Sequence, residues 1–334
     1  MNYIGSKYKL SPFIKSGIYS VVGKDLSGKI FCDLFAGTGI VGRLFKNEVK
    51  GVIANDFEYY SYVLIKNYIE NHRPIPGKES YIERLNNLSG KEGFIYRHYC
   101  LGGGSGRQYF SDENGKKIDA ARQQIDIWKR NGDIGEGLYY FLLASLLESA
   151  DKIANTASVY GAFLKHLKKS AQKPLIIEPA EFSINDGKHI AFNEDGNELI
   201  GKIEGDILYL DPPYNTRQYG ANYHLLNTIA LYDAFTPKGK TGLRDYKKSL
   251  YCSKSTVKDA LDDVLRRARF RYIFLSYNNE GLMTSEDIGK IMKKYGKFDL
   301  LSINYQRFKS DTDENRAHKA RKTREYLYVL EKNG

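Results

Sequence analysis

Residues 29–47 read KIFCDLFAGTGIVGRLFKN. KIFCDLF (29–35) has the length and apolar character of a buried strand, and AGTGIVGRLFKN (36–47) is a glycine turn that opens a helix. The pattern repeats at once. GVIANDF (51–57) is a second strand ending in polar residues, and YSYVLIKNYIEN (60–71) is a second helix, stopped by Arg73-Pro74. Strand and helix alternating at this spacing predict an α/β fold with a parallel sheet, because a parallel strand needs a crossover to return.

The turn itself, Gly37-Thr38-Gly39-Ile40-Val41-Gly42, matches G-x-G-x-x-G, follows a strand and opens a helix. Asp56 closes the next strand, where the partner of a ribose hydroxyl belongs. Taken alone, this fingerprint favours NAD. Asp33 argues otherwise. A carboxylate at the tip of the first strand repels a pyrophosphate and attracts a cationic end. S-adenosylmethionine carries an ammonium and a sulfonium and no phosphate, so the same turn serves either cofactor and Asp33 tips the choice. The plain alternative for Asp33 is an acid favoured by the following helix dipole.

A second stretch stands beyond a later strand. DILYL (206–210) runs into Asp211-Pro212-Pro213-Tyr214-Asn215. Neither proline has an N–H to donate, so the strand stops at Leu210 and a stiff ledge follows. Such a ledge lies at the carboxyl end of the sheet, where open α/β folds bind ligands. Suppose the acceptor is an exocyclic amine on a nucleobase: the Asp211 carboxylate and the Pro212 carbonyl can then accept its two protons, and Tyr214 can stack on the base. An amine inside a duplex cannot reach this corner, so the base has to flip out.

The rest of the chain frames these motifs. It has 334 residues, 42% hydrophobic and 27% charged, with a net charge of +11 that points to a polyanionic partner or simply a basic surface. Cys32, Cys100 and Cys252 are scattered, without CxxC or CxxH spacing, so neither a metal site nor a disulfide framework is expected. The N-terminus lacks a signal-peptide apolar core and no apolar run has membrane-spanning length, so the expected compartment is the cytoplasm. Residues 8–22 read as an amphipathic helix, 188–193 as a returning strand, 223–235 and 259–269 as helices, and 272–278 as a strand. Ser285 is the expected N-cap of a helix over 285–296. Segments 298–308 and 325–332 are expected to close the sheet as an antiparallel pair. The rhythm breaks over 74–185, a mostly helical insertion.

Asp-Pro-Pro-Tyr (211–214), Asp-Leu-Phe-Ala-Gly-Thr-Gly (33–39) and Tyr-Ile-Gly-Ser-Lys (3–7) together resemble the Dam-like class of adenine-N6-specific DNA methyltransferases, and most closely those of restriction–modification systems. The resemblance implies a Rossmann-like, S-adenosylmethionine-dependent methyltransferase sheet, formed by 1–73 and 186–334, with the largely helical 74–185 region as an inserted target-recognition domain. It implies that Tyr3 and Lys7 lie near the methionine end of the cofactor, that Asp33, Phe35, Gly37 and Gly39 form its cradle, and that Asp56 holds the ribose. Asn193 and Asp195 fall where the family binds the adenine end. Asp211, Pro212, Pro213 and Tyr214 are then the methyl-acceptor site. The implied partners are double-stranded DNA and a cognate restriction endonuclease, in a prokaryotic or phage setting, with no metal and no membrane.

DNA contacts are expected outside the catalytic sheet. Arg217, Gln218 and Tyr219 stand just beyond the ledge. Arg97, Arg107, Tyr109 and Arg122 belong to the insertion, with Arg107 a candidate for a guanine edge. Residues 236–249 and the run with Arg316, Lys319, Arg321 and Lys322 join Lys or Arg to flexible backbone, which suits phosphate contact. A solvated loop is the plain alternative for each. Two other activities remain open on sequence alone. One is an NAD-dependent oxidoreductase using the glycine turn. The other is a methyltransferase for another planar amine, cytosine N4 or an RNA adenine.

Overall fold

The computed structural model describes residues 5–306 and 322–333, with the side chains at 305, 306, 322 and 323 excepted. The expectations for Tyr3, Arg316, Lys319 and Arg321 lie outside the described residues. Among the described residues the chain divides into two compact units. One holds Gly5, Glu58–Ile184 and Tyr219–Lys247; the other holds Ser6–Phe57, Asn185–Gln218 and the described residues from Lys248 onward.

The second unit contains one seven-stranded sheet. Its strands are β1 (Ile30–Asp33), β2 (Gly51–Asn55), β3 (Ile190–Phe192), β4 (Glu204–Leu210), β5 (Arg269–Asn278), β6 (Gly296–Gln306) and β7 (Lys322–Lys332), in the order β3-β2-β1-β4-β5-β7-β6. The first five are parallel, while β7 runs antiparallel to both β5 and β6. The central strands are buried on both faces, as their near-continuous apolar sequences require. One face carries Cys32, Leu34, Leu208, Leu210, Ile273 and Leu275 against the helix Val257–Arg267, whose buried Val257, Ala260, Leu261, Val264 and Leu265 keep helical spacing. On the other face Phe31 stacks on Phe45 of the helix Ile40–Phe45, with centroids 4.6 Å apart. The helix Ser11–Val22 approaches that sheet closely at Gly17, where a Cβ would fall 2.6 Å from Leu327 Cδ2.

Register decides what gathers at the sheet's carboxyl edge. Asp33 ends β1 opposite Ala54 of β2 and Tyr209 of β4. Asp56 and Asp211 therefore follow two residues further on, at the same end of adjacent parallel strands. Between β1 and β4 the strand order reverses, and open parallel sheets bind ligands at such a reversal.

The other unit is helical. It contains Tyr59–Ile65 running into a π turn Lys66–Glu70, then Lys78–Asn86, Phe94–Tyr99, Asp112–Asn131, Glu136–Ile153, Tyr219–Asn222 and His224–Leu231. Ile118, Ala121, Ile125, Leu142 and Leu146 of the 74–185 region share its core with Val63 and Leu64 before it and Leu225 and Ile229 after it. The unit thus extends beyond the expected insertion on both sides. Ser111 caps the longest helix by accepting from Asn114 N, and Gly132, at φ 78°, ends it. Among the described residues no helix is long and apolar enough to cross a membrane.

One expected cap is corrected. Thr284, not Ser285, caps the helix Ser285–Met292: its side chain accepts from Asp287 N at 3.1 Å while the Asp287 carboxylate accepts from Thr284 N at 3.1 Å. This reciprocal box satisfies two end amides where a serine one residue later satisfies neither.

Candidate active site

The glycine turn depends on two left-handed glycines, Gly37 at φ 54° and Gly39 at φ 74°, which let Gly39 N bond Ala36 O at 2.7 Å. Two acids hold the turn from below. Asp33 is 1% exposed, and its Oδ2 accepts from Gly42 N at 2.9 Å. Asp56 Oδ2 accepts from Gly37 N at 2.7 Å. Two amides of the turn, Gly37 N and Gly42 N, are thus already engaged by carboxylates, and a pyrophosphate brought to this turn would meet those two acids. Asp33 Oδ1, by contrast, is buried with no hydrogen-bond partner among the described residues. Burial pushes the Asp33 carboxyl up to about 8, and the nearby Asp211 and Asp56 add to the rise.

The neighbouring groups shape a floor. Phe35 is half-buried and meets Tyr251 edge-on, with centroids 5.0 Å apart. A Cβ on Gly196 would lie 3.1 Å from the Phe35 ring, so a larger residue there would press on the ring. Asp195 Oδ1 accepts from Asn197 N at 2.9 Å, capping the short helix Gly196–Leu199. Asn193 donates to the carbonyls of Asp56 and Phe57 at 2.7 and 3.1 Å and so fixes the chain just after β2. Sequence reasoning missed Asn55. Buried at the end of β2, it donates to Leu34 O and Glu194 O and accepts from Glu194 N, tying three strand ends together. No local pattern marks it apart from any strand-end asparagine.

The ledge begins where β4 stops. Pro212 is buried, while Asp211, Pro213 and Tyr214 are half-buried. Leu282 N donates to Tyr214 O at 2.9 Å, and the Tyr214 ring meets Tyr277 edge-on at 5.9 Å, so the corner is fixed at both its backbone and its ring. Lys7 enters here. Its Nζ is 2.8 Å from Asp211 Oδ1 and 5.7 Å from the Tyr214 ring centroid. Burial pushes the Asp211 carboxyl up and Lys7 pulls it part of the way back. Burial pulls the Lys7 ammonium down, but Asp211, Tyr214 and Glu325 outweigh it and hold it above its ordinary value. Glu325 on β7, 8% exposed, is a further acid at this end that the sequence did not single out.

The candidate DNA residues divide. Arg217 is exposed. Tyr219 is half-buried and stacks on Tyr223 at 6.0 Å. Arg107 directs Nε to Lys240 O, Nη1 to His98 O and Nη2 to Gly239 O, so it braces a loop of its own unit and keeps two N–H groups uncommitted to these carbonyls. Two expectations are corrected. Arg122 is 2% exposed and caps the helix His224–Leu231 through Ile229 O and Ala230 O. Tyr109 is wholly buried, with its hydroxyl on Tyr160 O at 2.7 Å. Both side chains serve the core because their polar ends meet backbone carbonyls there.

Known proteins resemble this chain over most of its length. Residues 3–291 match the family model for D12 class N6 adenine-specific DNA methyltransferases. The chain is 64% identical over 332 residues to the Type II methyltransferase M.NlaIII of Neisseria lactamica, covering 99% of each chain. It is 39% identical to the Type II methyltransferase M.CviAII of Paramecium bursaria Chlorella virus 1, covering 93% of each. It is 40% identical to the Type II methyltransferase M.FokI of Planomicrobium okeanokoites, of which it spans about half, 53%. With the family model spanning most of its length and an acid–proline–proline–tyrosine corner at the edge of its sheet, the chain belongs to the D12 class N6 adenine-specific DNA methyltransferases.

Proposed function

We propose that this protein transfers a methyl group from S-adenosylmethionine to N6 of an adenine flipped out of double-stranded DNA at a specific sequence, as the modification partner of a restriction endonuclease in a prokaryotic or phage setting. One observation carries the reading: a buried acid with a bare oxygen, Asp33, ends β1, and a second acid, Asp211, directly follows the adjacent strand β4. A bare buried carboxylate oxygen suits a cationic ligand, because the ligand's charge offsets the cost of ionising the acid. When bound, S-adenosylmethionine supplies a methyl group on a positively charged sulfur. Asp33, Phe35, Gly37, Gly39, Asp56 and Asp195 are the residues assigned to holding it, with Tyr3 added by resemblance.

At the ledge, Asp211 and the Pro212 carbonyl accept the two protons of the adenine amine and aim its lone pair. Pro213 stiffens the corner and Tyr214 offers a ring face to the base. The parallel strands with their antiparallel closing pair support a Rossmann-like methyltransferase sheet. The helical unit is assigned to target recognition. Arg217, Tyr219, the remaining N–H groups of Arg107, and Lys319 and Arg321 are assigned to DNA, in keeping with the net charge of +11. The type II relatives support the restriction–modification setting.

The test is transfer of labelled methyl from S-adenosylmethionine to duplex DNA, with the modified bases mapped. Label on N6 of adenine within one recurring sequence is expected. Label on cytosine or on RNA only, or none, overturns the reading.

A further inference from the structure

We propose that Lys7 is a positioning residue of the methyl-acceptor corner: its ammonium keeps the Asp211 side chain aimed and ionised for the incoming amine. This deepens the proposed function and rests on it. Lys7 Nζ stands 2.8 Å from Asp211 Oδ1, and the two side chains are only 6% and 18% exposed. The backbone of Lys7 is anchored, since its carbonyl accepts from Leu10 N at 2.9 Å and from Ser11 Oγ at 3.1 Å. Ser11 opens the helix that lies on β6 and β7 at Gly17. The ammonium is therefore held against the ledge by the sheet itself.

The charged and titratable groups that act on this corner are Lys7, Asp33, Glu325, Glu280, Tyr209 and Tyr214, and Lys7 is the cation among them. Burial drives a lone carboxylate to take up a proton. A protonated Asp211 would present an O–H towards the substrate amine and lose much of its capacity to accept. The ion pair opposes that protonation and leaves the second oxygen of Asp211 for the amine. Lys7 thus serves the acceptor side of the site.

The experiment compares full-length wild type, Lys7→Met and Lys7→Arg. Methyl transfer to DNA is measured from pH 5.5 to 9.5, cofactor affinity by calorimetry, and the Asp211 carboxyl titration by carbon NMR. Lys7→Met is expected to lower kcat about 100-fold at pH 6.5, with the loss shrinking as pH rises. The acid limb and the Asp211 titration should both move up by about one to three units, with cofactor affinity unchanged. Lys7→Arg should keep both near wild type. If Lys7→Met does not fold, Lys7→Gln carries the same comparison. A loss equal at every pH, or a weakened cofactor with kcat retained, overturns the role of Lys7. A wild type that methylates no adenine overturns the function itself.

Discussion

Two buried aspartates, one in each unit, show how differently the same side chain is used. Asp119 in the helical unit is wholly buried and accepts from Gly93 N, Ile95 N, Tyr96 N and the Tyr232 hydroxyl. Both its oxygens are satisfied, and it fixes the start of the helix Phe94–Tyr99. Asp33 in the sheet unit is 1% exposed, accepts one amide and leaves Oδ1 bare. Burial pushes both carboxyls up. A buried acid with full valence is architecture. One with an open acceptor at the carboxyl edge of a parallel sheet is the one to test for ligand binding. The first should cost stability when removed and the second should cost function.

The largest effect is expected at the third acid. Asp211→Ala should reduce methyl transfer at least about 1000-fold while cofactor affinity stays near wild type. Full activity in that variant removes the ledge mechanism. The contrast itself is then tested by a pair. Asp119→Ala strands three backbone amides and should destabilise the protein by about 2–4 kcal/mol in urea unfolding. Asp33→Asn should not destabilise it, yet should weaken cofactor binding about 10- to 100-fold. Equal stability losses in the two variants would erase the distinction.

Much of this contrast was legible in the sequence, but unevenly. Asp33, Gly37, Gly39 and Asp56 lie within one strand–turn–helix–strand passage, so local pattern locates them. Asp211 announces itself because two prolines end its strand. Asp119 sits within a helix and is called into use by amides of another segment, which no local pattern reveals. Lys7 pairs with Asp211 across most of the chain, and Arg107 reaches carbonyls at Gly239 and Lys240, so its side chain reads as a free cation until the fold is known. The same limit applies to the helical unit. The apolar faces at Val63 and Leu64 and at Leu225 and Ile229 show that those segments bury something, but not that they bury it together.

Asp33 also couples the fold to pH. Its carboxyl is raised from the ordinary range to about 8. The folded protein holds that proton where the unfolded chain has lost it, so the fold is penalised increasingly as pH rises from about 4 to 8. Asp33→Asn removes the penalty, and its stabilising effect should therefore be near zero at pH 4, grow towards pH 8 and then level off. Binding of the cationic cofactor should expel the proton. Affinity should improve by up to about tenfold per unit between pH 6 and 8 and flatten above. Calorimetry in two buffers of different ionisation enthalpy reads the released proton directly. An affinity independent of pH over that range would mean that the bare oxygen does not face the ligand's charge.

The smallest effect tests the outer edge of the site. Arg217 is exposed three residues beyond Tyr214, with its backbone held by the Asn215 side chain and by Cys252 Sγ. A held backbone with an exposed guanidinium is what a phosphate contact asks for, because the protein surrenders little order when DNA arrives. Arg217→Ala should weaken DNA binding a few-fold, uniformly across sequences, and reduce the salt slope by about one. It should leave cofactor affinity untouched. A variant that instead changes which sequence is methylated would make Arg217 a reader of bases, and the division between a satisfied scaffold and an unsatisfied site would then have to include sequence choice on the ledge's own strand connection.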